Sequence, residues 1–252
     1  MSKMLIDTCC LCNSNESTPI KLYGLSYRKC RNCGVIFHEV EMTKDEYFSF
    51  YEKESYSELR KIYTDNEHKK TYHTDEQRYN HDYNLAIKRI DEYKKITKKE
   101  TGLLLDIGAA NGAFVDCARS FKYDAFGTEI NDSKKFDGKI FYGELDQISF
   151  GGSPPESRKF DLITMHDVLE HMINPKYELG VIKNNLIKTD GMLIIDFPEF
   201  YSDHGVHHWK QTEHLWILTM DEVIELVSSS GFKLEDIKHP VSSKFVLYFG
   251  VN

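Results

Sequence analysis

Residues 103–114 read Leu-Leu-Leu-Asp-Ile-Gly-Ala-Ala-Asn-Gly-Ala-Phe. A short apolar run, Leu103–Ile107, leads into a turn holding Gly108 and Gly112, and apolar residues then recur at helical spacing. This predicts a strand, a glycine-containing turn and a helix from about Asn111 to Phe121. Further strands are expected at Ala125–Ile130, Ile140–Tyr142, Phe160–Met165 and Met192–Phe197, with a helix over Asn174–Lys188 between the last two. Thr219-x-x-Glu222 is a capping box for a helix that carries Val223, Ile224, Leu226 and Val227 and stops at Gly231. Two terminal strands follow, near 232–238 and 244–251. Such alternation confines the chain to an α/β fold with a doubly wound, mainly parallel sheet.

The turn also carries chemistry. Glycines let the backbone approach a ligand, and a helix N-terminus presents free N–H groups. Glu129 ends the next strand, 23 residues after Asp106. An acidic side chain at that place can accept both hydroxyls of a ribose. The G-x-G-x-x-G of a nicotinamide site is missing, and Ala110 stands where its middle glycine would be.

Six cysteines occur, at 9, 10, 12, 30, 33 and 117. Cys9-x-x-Cys12 and Cys30-x-x-Cys33 are separated by 17 residues, a spacing suited to a four-thiolate zinc site. Each C-x-x-C turn can present two sulfurs to one tetrahedral ion. A redox pair is the alternative reading. Cys10 could replace Cys9, though the spacing favours Cys9, and Cys117 reads as a small buried hydrophobe. A site closed by four thiolates leaves no open position, so the zinc is read as structural. The N-terminus has no apolar signal segment, which makes a reducing, cytoplasmic setting the expectation.

Residues 1–40 thus form a zinc module with small strands at Ile20–Tyr23 and Val35–Phe37. Residues 41–100 contain no Gly and no Pro, and 27 of the 60 are charged, which predicts a helical connector or lid with a solvated face. Thr43-x-x-Glu46 and Thr74-x-x-Gln77 are capping-box candidates, and Tyr79, Tyr83, Ala86, Ile87 and Ile90 share one helical face as core or lid. Residues 101–252 form the third part. No run longer than nine residues lacks a charged side chain, so no segment reads as a membrane helix. The net charge of -8 disfavours tight binding to phosphate backbones.

Four segments carry a resemblance. Leu103–Phe114 resembles the first motif of class I S-adenosylmethionine (SAM)-dependent methyltransferases, and Gly127-Thr-Glu129-Ile resembles the second. Phe160-Asp-Leu-Ile-Thr-Met-His-Asp-Val-Leu-Glu-His171-Met-Ile-Asn-Pro175 resembles their fourth-strand motif, and Gly191–Pro198 their fifth strand. The resemblance implies a seven-stranded Rossmann-like sheet of order 3-2-1-4-5-7-6 with strand 7 antiparallel. It implies SAM as cofactor, with Asp106, Gly108, Ala109, Asn111 and Gly112 at the first turn beside its methionine part. Glu129 would hold the ribose, Glu144 and Leu145 would contact the adenine, and Met165 and His166 would sit beneath the sulfonium. Ala110 departs from the commonest pattern. A nucleotide-binding or inactive relative is the alternative.

His204, His207, His208 and His214 crowd the segment after the expected fifth strand, where open α/β sheets place substrates. Three readings stay open: ordinary hydrogen bonding around Trp209 and Trp216, a divalent metal on His204, His207 and His208 with Asp203, or a general base. Methyl transfer to an alcohol needs its proton removed in the transition state, and histidine suits that role near neutral pH. Glu213-His214 resembles the Glu-His pair of sugar methyltransferases that also carry an N-terminal four-cysteine zinc module. That resemblance implies His214 as base and Glu213 as its orienter, with His208 as second candidate; His171 reads as structural.

The expected activity is therefore O-methylation of a carbohydrate hydroxyl of a nucleotide-linked sugar, the narrowest version being a nucleotide-linked heptose for a bacterial capsule. Related C-methyltransferases carry a further C-terminal domain, and this chain ends after the seventh strand, so O-methylation is favoured over C-methylation of a keto-sugar. An RNA methyltransferase or RNA-binding protein using the zinc ribbon is the rival from another class, but residues 1–40 carry a net charge of only +2, five basic against three acidic. A non-catalytic SAM-binding partner protein is the third.

Overall fold

The computed structural model describes residues 6–39, 42–52, 75–130, 139–148, 158–200, 213–241 and 244–252. The expected Thr74 cap falls outside them. The chain divides into two compact units. One holds Tyr47–Thr164 and Asn185–Met192; the other holds Met1–Glu46, Met165–Asn184 and Leu193–Asn252.

The element order begins with strands β1 (Ser17–Leu22), β2 (Leu25–Cys30) and β3 (Ile36–His38), then helices α1 (Lys44–Glu52) and α2 (Asp75–Thr97). Strand β4 (Gly102–Ile107), helix α3 (Ala113–Ser120), and strands β5 (Tyr123–Glu129), β6 (Ile140–Tyr142) and β7 (Phe160–His166) follow. Helix α4 (Pro175–Val181), strands β8 (Ile187–Pro198) and β9 (Trp216–Ile217), helix α5 (Met220–Ser229), and strands β10 (Phe232–Val241) and β11 (Lys244–Val251) complete it.

Seven strands form one sheet in the order β6-β5-β4-β7-β8-β11-β10. Numbered from β4 as the first strand, this is the expected 3-2-1-4-5-7-6. β4 and β5 run parallel, as do β5 and β6, whereas the edge pair β10–β11 is antiparallel. Leu104, Leu105, Leu162, Ile163, Leu193 and Ile194 are wholly buried, as expected of parallel strands covered on both faces.

Within the first unit, α3 packs on β4 and β5, and α2 packs on α3. Tyr93 of α2 lies against Phe114, ring centroids 6.2 Å apart. The tyrosine stripe clasps α3 from outside: Tyr79 Oη donates to Asp116 at 2.8 Å and Tyr83 Oη to Ser120 at 3.1 Å. Ala86, Ile90 and Tyr93 are the residues of α2 that bury.

Local signals account for most helix starts. The Thr219–Glu222 capping box is fully formed at α5. At α1, Glu46 N–H donates to Thr43 Oγ1 and Thr43 N–H to Glu46 Oε2. Asn174 caps α4, with Pro175 at its first turn. The expected helix 174–188 is shorter than its pattern suggests. α4 ends at Val181, a wider turn runs over Ile182–Leu186, and β8 begins at Ile187. Among the described residues no helix is long and apolar enough to cross a membrane.

In the second unit, a smaller sheet of order β1-β2-β3-β9 joins the cysteine-rich segment to residues 216–217. The sequence reading foresaw β1 and β3 but neither β2 nor β9. Tyr27, Phe200 and Ile217 form its buried core.

Candidate active site

The turn after β4 is shaped by left-handed backbone. Gly108 (φ 73°) and Gly112 (φ 78°) adopt it freely, and so does Ala110 (φ 47°), against the preference of a residue with a Cβ. The N–H groups of Gly108 and Ala109 both donate to Thr128 O at 2.9 Å, tying the turn to β5. This close approach explains Gly127: a Cβ there would lie 2.6 Å from the Cβ of Ala109.

Glu129, at the end of β5, is fixed by the same turn. Its Oε2 accepts from Ala110 N–H at 2.9 Å and its Oε1 from Ile130 N–H at 2.8 Å. Each carboxylate oxygen retains a second acceptor site. Asp106 is buried and accepts from Thr164 Oγ1 at 2.7 Å. Asn111 Oδ1 caps Ala113 N–H at 3.2 Å, and its Nδ2 donates to Asp82 of α2 at 2.7 Å. The Asn111 side chain therefore joins α2 to the turn, a role that the sequence motif did not suggest.

Glu144 and Leu145 follow β6, with Leu145 buried. Gly143 N–H donates to Glu129 O at 3.2 Å, which sets this bend beside the end of β5. In the second unit, Met165 is wholly buried and His166 ends β7.

The four cysteines converge. Cys9 Sγ lies 3.4 Å from Cys33 Sγ, and Cys12 Sγ 3.5 Å from Cys30 Sγ. All four sulfurs lie within 4.8 Å of one another. These separations far exceed a disulfide bond of about 2.05 Å. They approach the roughly 3.8 Å between thiolates tetrahedrally bound to zinc at about 2.3 Å. A hydrogen bond from Cys10 does most to lower the Cys9 thiol, to about 4. Cys10 itself is buried outside the cluster, and Cys117 is buried in α3.

A second convergence lies just after β7. One carboxylate oxygen of Glu170 and one ring nitrogen each of His171 and His214 lie within 4.8 Å of one another. The rings of His171 and His214 meet edge to face, centroids 4.7 Å apart, and the Phe200 ring also meets that of His214 edge to face at 5.3 Å. Burial pushes the Glu170 carboxyl up to about 8, with the charge of Asp167 adding to the effect. Glu213 and His214 are both only 3% exposed, so His214 is a core-facing imidazole among other rings. Glu213 contributes its main chain here, its carbonyl oxygen standing 2.8 Å from His171 Nδ1. His208, with His204 and His207, falls outside the described residues.

Residues 75–237 match the model of the methyltransferase domain family. The chain belongs to that family. Among solved structures, this methyltransferase resembles the 1,6-didemethyltoxoflavin-N1-methyltransferase of Burkholderia thailandensis, with TM-score 0.59 and 15% identity over 94% of this chain and 99% of that one. It also resembles the magnesium protoporphyrin IX methyltransferase of Synechocystis (TM-score 0.56, 11% identity, 83% of this chain, 100% of that). An S-adenosylmethionine-dependent methyltransferase of Clostridium acetobutylicum is similar as well (TM-score 0.55, 12% identity, 79% and 99% covered). At these identities the likeness is one of fold. No curated protein matches the chain.

Two residues of the methyltransferase escaped the sequence reading. Asp82 sits on a helix face that looked solvated, and only the turn it meets reveals its role. Glu170 was visible as the glutamate between Leu169 and His171. It was given no role, because one of its neighbours in the cluster, His171, is adjacent to it while the other, His214, lies 44 positions further along the chain.

Proposed function

We propose that this methyltransferase transfers the methyl group of SAM to a carbohydrate hydroxyl, the acceptor being a nucleotide-linked sugar. The observation that carries the donor half is Glu129. Its carboxylate is held by Ala110 and Ile130 N–H groups at the carboxyl end of β5, with acceptor capacity left for two ribose hydroxyls. Gly108, Ala109 and Gly112 would line the methionine part of SAM through their backbone. Asp106 and Asn111 would shape the turn, Glu144 and Leu145 would flank the adenine, and Met165 and His166 would lie near the sulfonium. Bound SAM supplies an activated methyl group, and the chain's task is to align an acceptor oxygen with it.

The sugar half rests on Glu213-His214 together with the cysteine module, the pair of features that resembles sugar methyltransferases. Cys9, Cys12, Cys30 and Cys33 would hold one structural zinc, for which their sulfur separations are suited. The acceptor hydroxyl must lose its proton as the new bond forms, and His214 is the residue proposed to govern that loss. The test is incubation with SAM carrying an isotopically labelled methyl group and a panel of nucleotide-sugars. Labelled product with the mass of one added methyl group on the sugar supports the reading. Label appearing only on non-sugar acceptors contradicts it.

A further inference from the structure

We infer that Glu170, His171 and His214 form a binding site for a divalent transition-metal ion, separate from the cysteine cluster. The inference does not depend on the proposed donor; it shares His214 with the acceptor reading, where a bound ion would make that imidazole act through the metal rather than as a base itself.

Glu170 is 2% exposed, and among the described residues neither of its carboxylate oxygens has a hydrogen-bond partner. A buried carboxylate without donors is costly unless a positive charge or a proton compensates it. Two imidazoles supply the rest of the site. His171 Nδ1 stands 2.8 Å from the carbonyl oxygen of Glu213. A carbonyl only accepts, so Nδ1 carries the proton, and in the neutral ring Nε2 carries the lone pair. That same Nε2 lies 3.9 Å from Glu170 Oε1. An imidazole lone pair turned toward a carboxylate oxygen is repulsive across an empty gap and attractive across a cation. Anchoring the distal ring N–H on a backbone carbonyl is how metal-binding histidines are commonly oriented.

The separations suit an ion. Ligand atoms about 2.1 Å from a common tetrahedral centre stand roughly 3.4 Å apart, so closure of the Glu170–His171 pair needs about half an ångström. The backbone holds the ligands close already: Leu215 N–H, next to His214, donates to Glu170 O at 2.8 Å, and His171 N–H donates to Val168 O at 2.9 Å. Two imidazoles and one carboxylate favour manganese, iron, cobalt or zinc over magnesium or calcium, and three protein ligands leave positions open. An oxygen ligand in an open position would have its pKa lowered.

The test uses Mn²⁺, which thiolates hold poorly, so the cysteine cluster does not compete. Protein dialysed free of weakly held ions is titrated with Mn²⁺ while free Mn²⁺ is followed by electron paramagnetic resonance. The expected result is one ion per chain, with affinity reduced at least tenfold in Glu170→Gln and in His214→Asn. On the wild type, Mn²⁺ should broaden the imidazole NMR signals of His171 and His214 first, a readout that stands even if a variant fails to fold. Absence of bound Mn²⁺ in the wild type, unchanged affinity in folded variants, or broadening confined to other histidines would overturn the site. SAM affinity measured on the same samples keeps failure of the donor reading distinguishable from failure of this one.

Discussion

Trp216 pairs with Phe37 in antiparallel register, and their rings pack with centroids 5.6 Å apart. The contact joins the cysteine-rich segment to the stretch that carries Glu213 and His214. Next to it, His38 N–H donates to Leu215 O at 2.8 Å, and Leu215 N–H donates in turn to Glu170 O at 2.8 Å. The last strand of the cysteine module is thus linked to the Glu170–His171–His214 cluster through one residue, Leu215, by two hydrogen bonds in series. A module that is remote in sequence thereby becomes a support for the residues proposed to face the acceptor.

Removal of the zinc proposed for the cysteine cluster should therefore loosen more than the cysteine loops. Closed thiolate sites contribute folding energy directly. Hydrogen exchange after chelation, or in Cys30→Ser, is expected to show lost protection over β1–β3 and at 215–217, with β4 and α3 unchanged. Protection retained at 215–217 would show that β9 holds without its partner strand.

Ala110 occupies left-handed backbone, φ 47°. Ala110→Gly relieves about 1 kcal/mol of local strain, offset in part by the greater freedom of glycine when unfolded. Denaturant melts should show equal or slightly raised stability. Gly127→Ala is the opposite case, since its Cβ would meet that of Ala109 at 2.6 Å. A loss of about 1–3 kcal/mol is expected from the overpacking.

His38 gives a pH signature. Burial lowers its pKa from 6.5 to about 4, with the charge of Glu39 opposing weakly. Between pH 4 and 6.5 the unfolded chain binds this proton and the folded chain does not, so stability falls as the pH drops through that window. At 1.36 kcal/mol per unit, a shift from 6.5 to about 4 contributes about 3–4 kcal/mol. The difference between wild-type and His38→Gln unfolding free energies, measured across that range, should carry this slope. Parallel curves would remove His38 as its source.

Much of the sheet was legible because buried parallel strands are mostly apolar, as in Leu103–Ile107 and Phe160–Met165, where Asp106 and Asp161 are the charged exceptions. The order of strands came from the resemblance, since periodicity does not encode which strands are neighbours. Strand β2 was missed because Ser26, Arg28 and Lys29 break its apolar pattern, and its identity comes from pairing with β1 on one side and β3 on the other. β9 is only two residues long and exists because β3 offers it an edge. The cysteine cluster was legible from spacing alone, as each C-x-x-C turn is a local structure. The Glu170–His171–His214 cluster was not, because it joins residues 43 positions apart in sequence through folds that no local pattern records. Asn111 shows the same limit at shorter range, its amide being engaged by Asp82 of a preceding helix.

Titration calorimetry of SAM into the wild-type protein and into Glu129→Ala tests the account at its centre. The wild type is expected to bind one SAM per chain. Loss of both charge-assisted ribose contacts should weaken binding by about 2–3 kcal/mol, on the order of 30- to 150-fold. Equal affinity in the two proteins, or no binding to the wild type, would contradict the assignment of Glu129 and the turn beside it as the seat of the methyl donor.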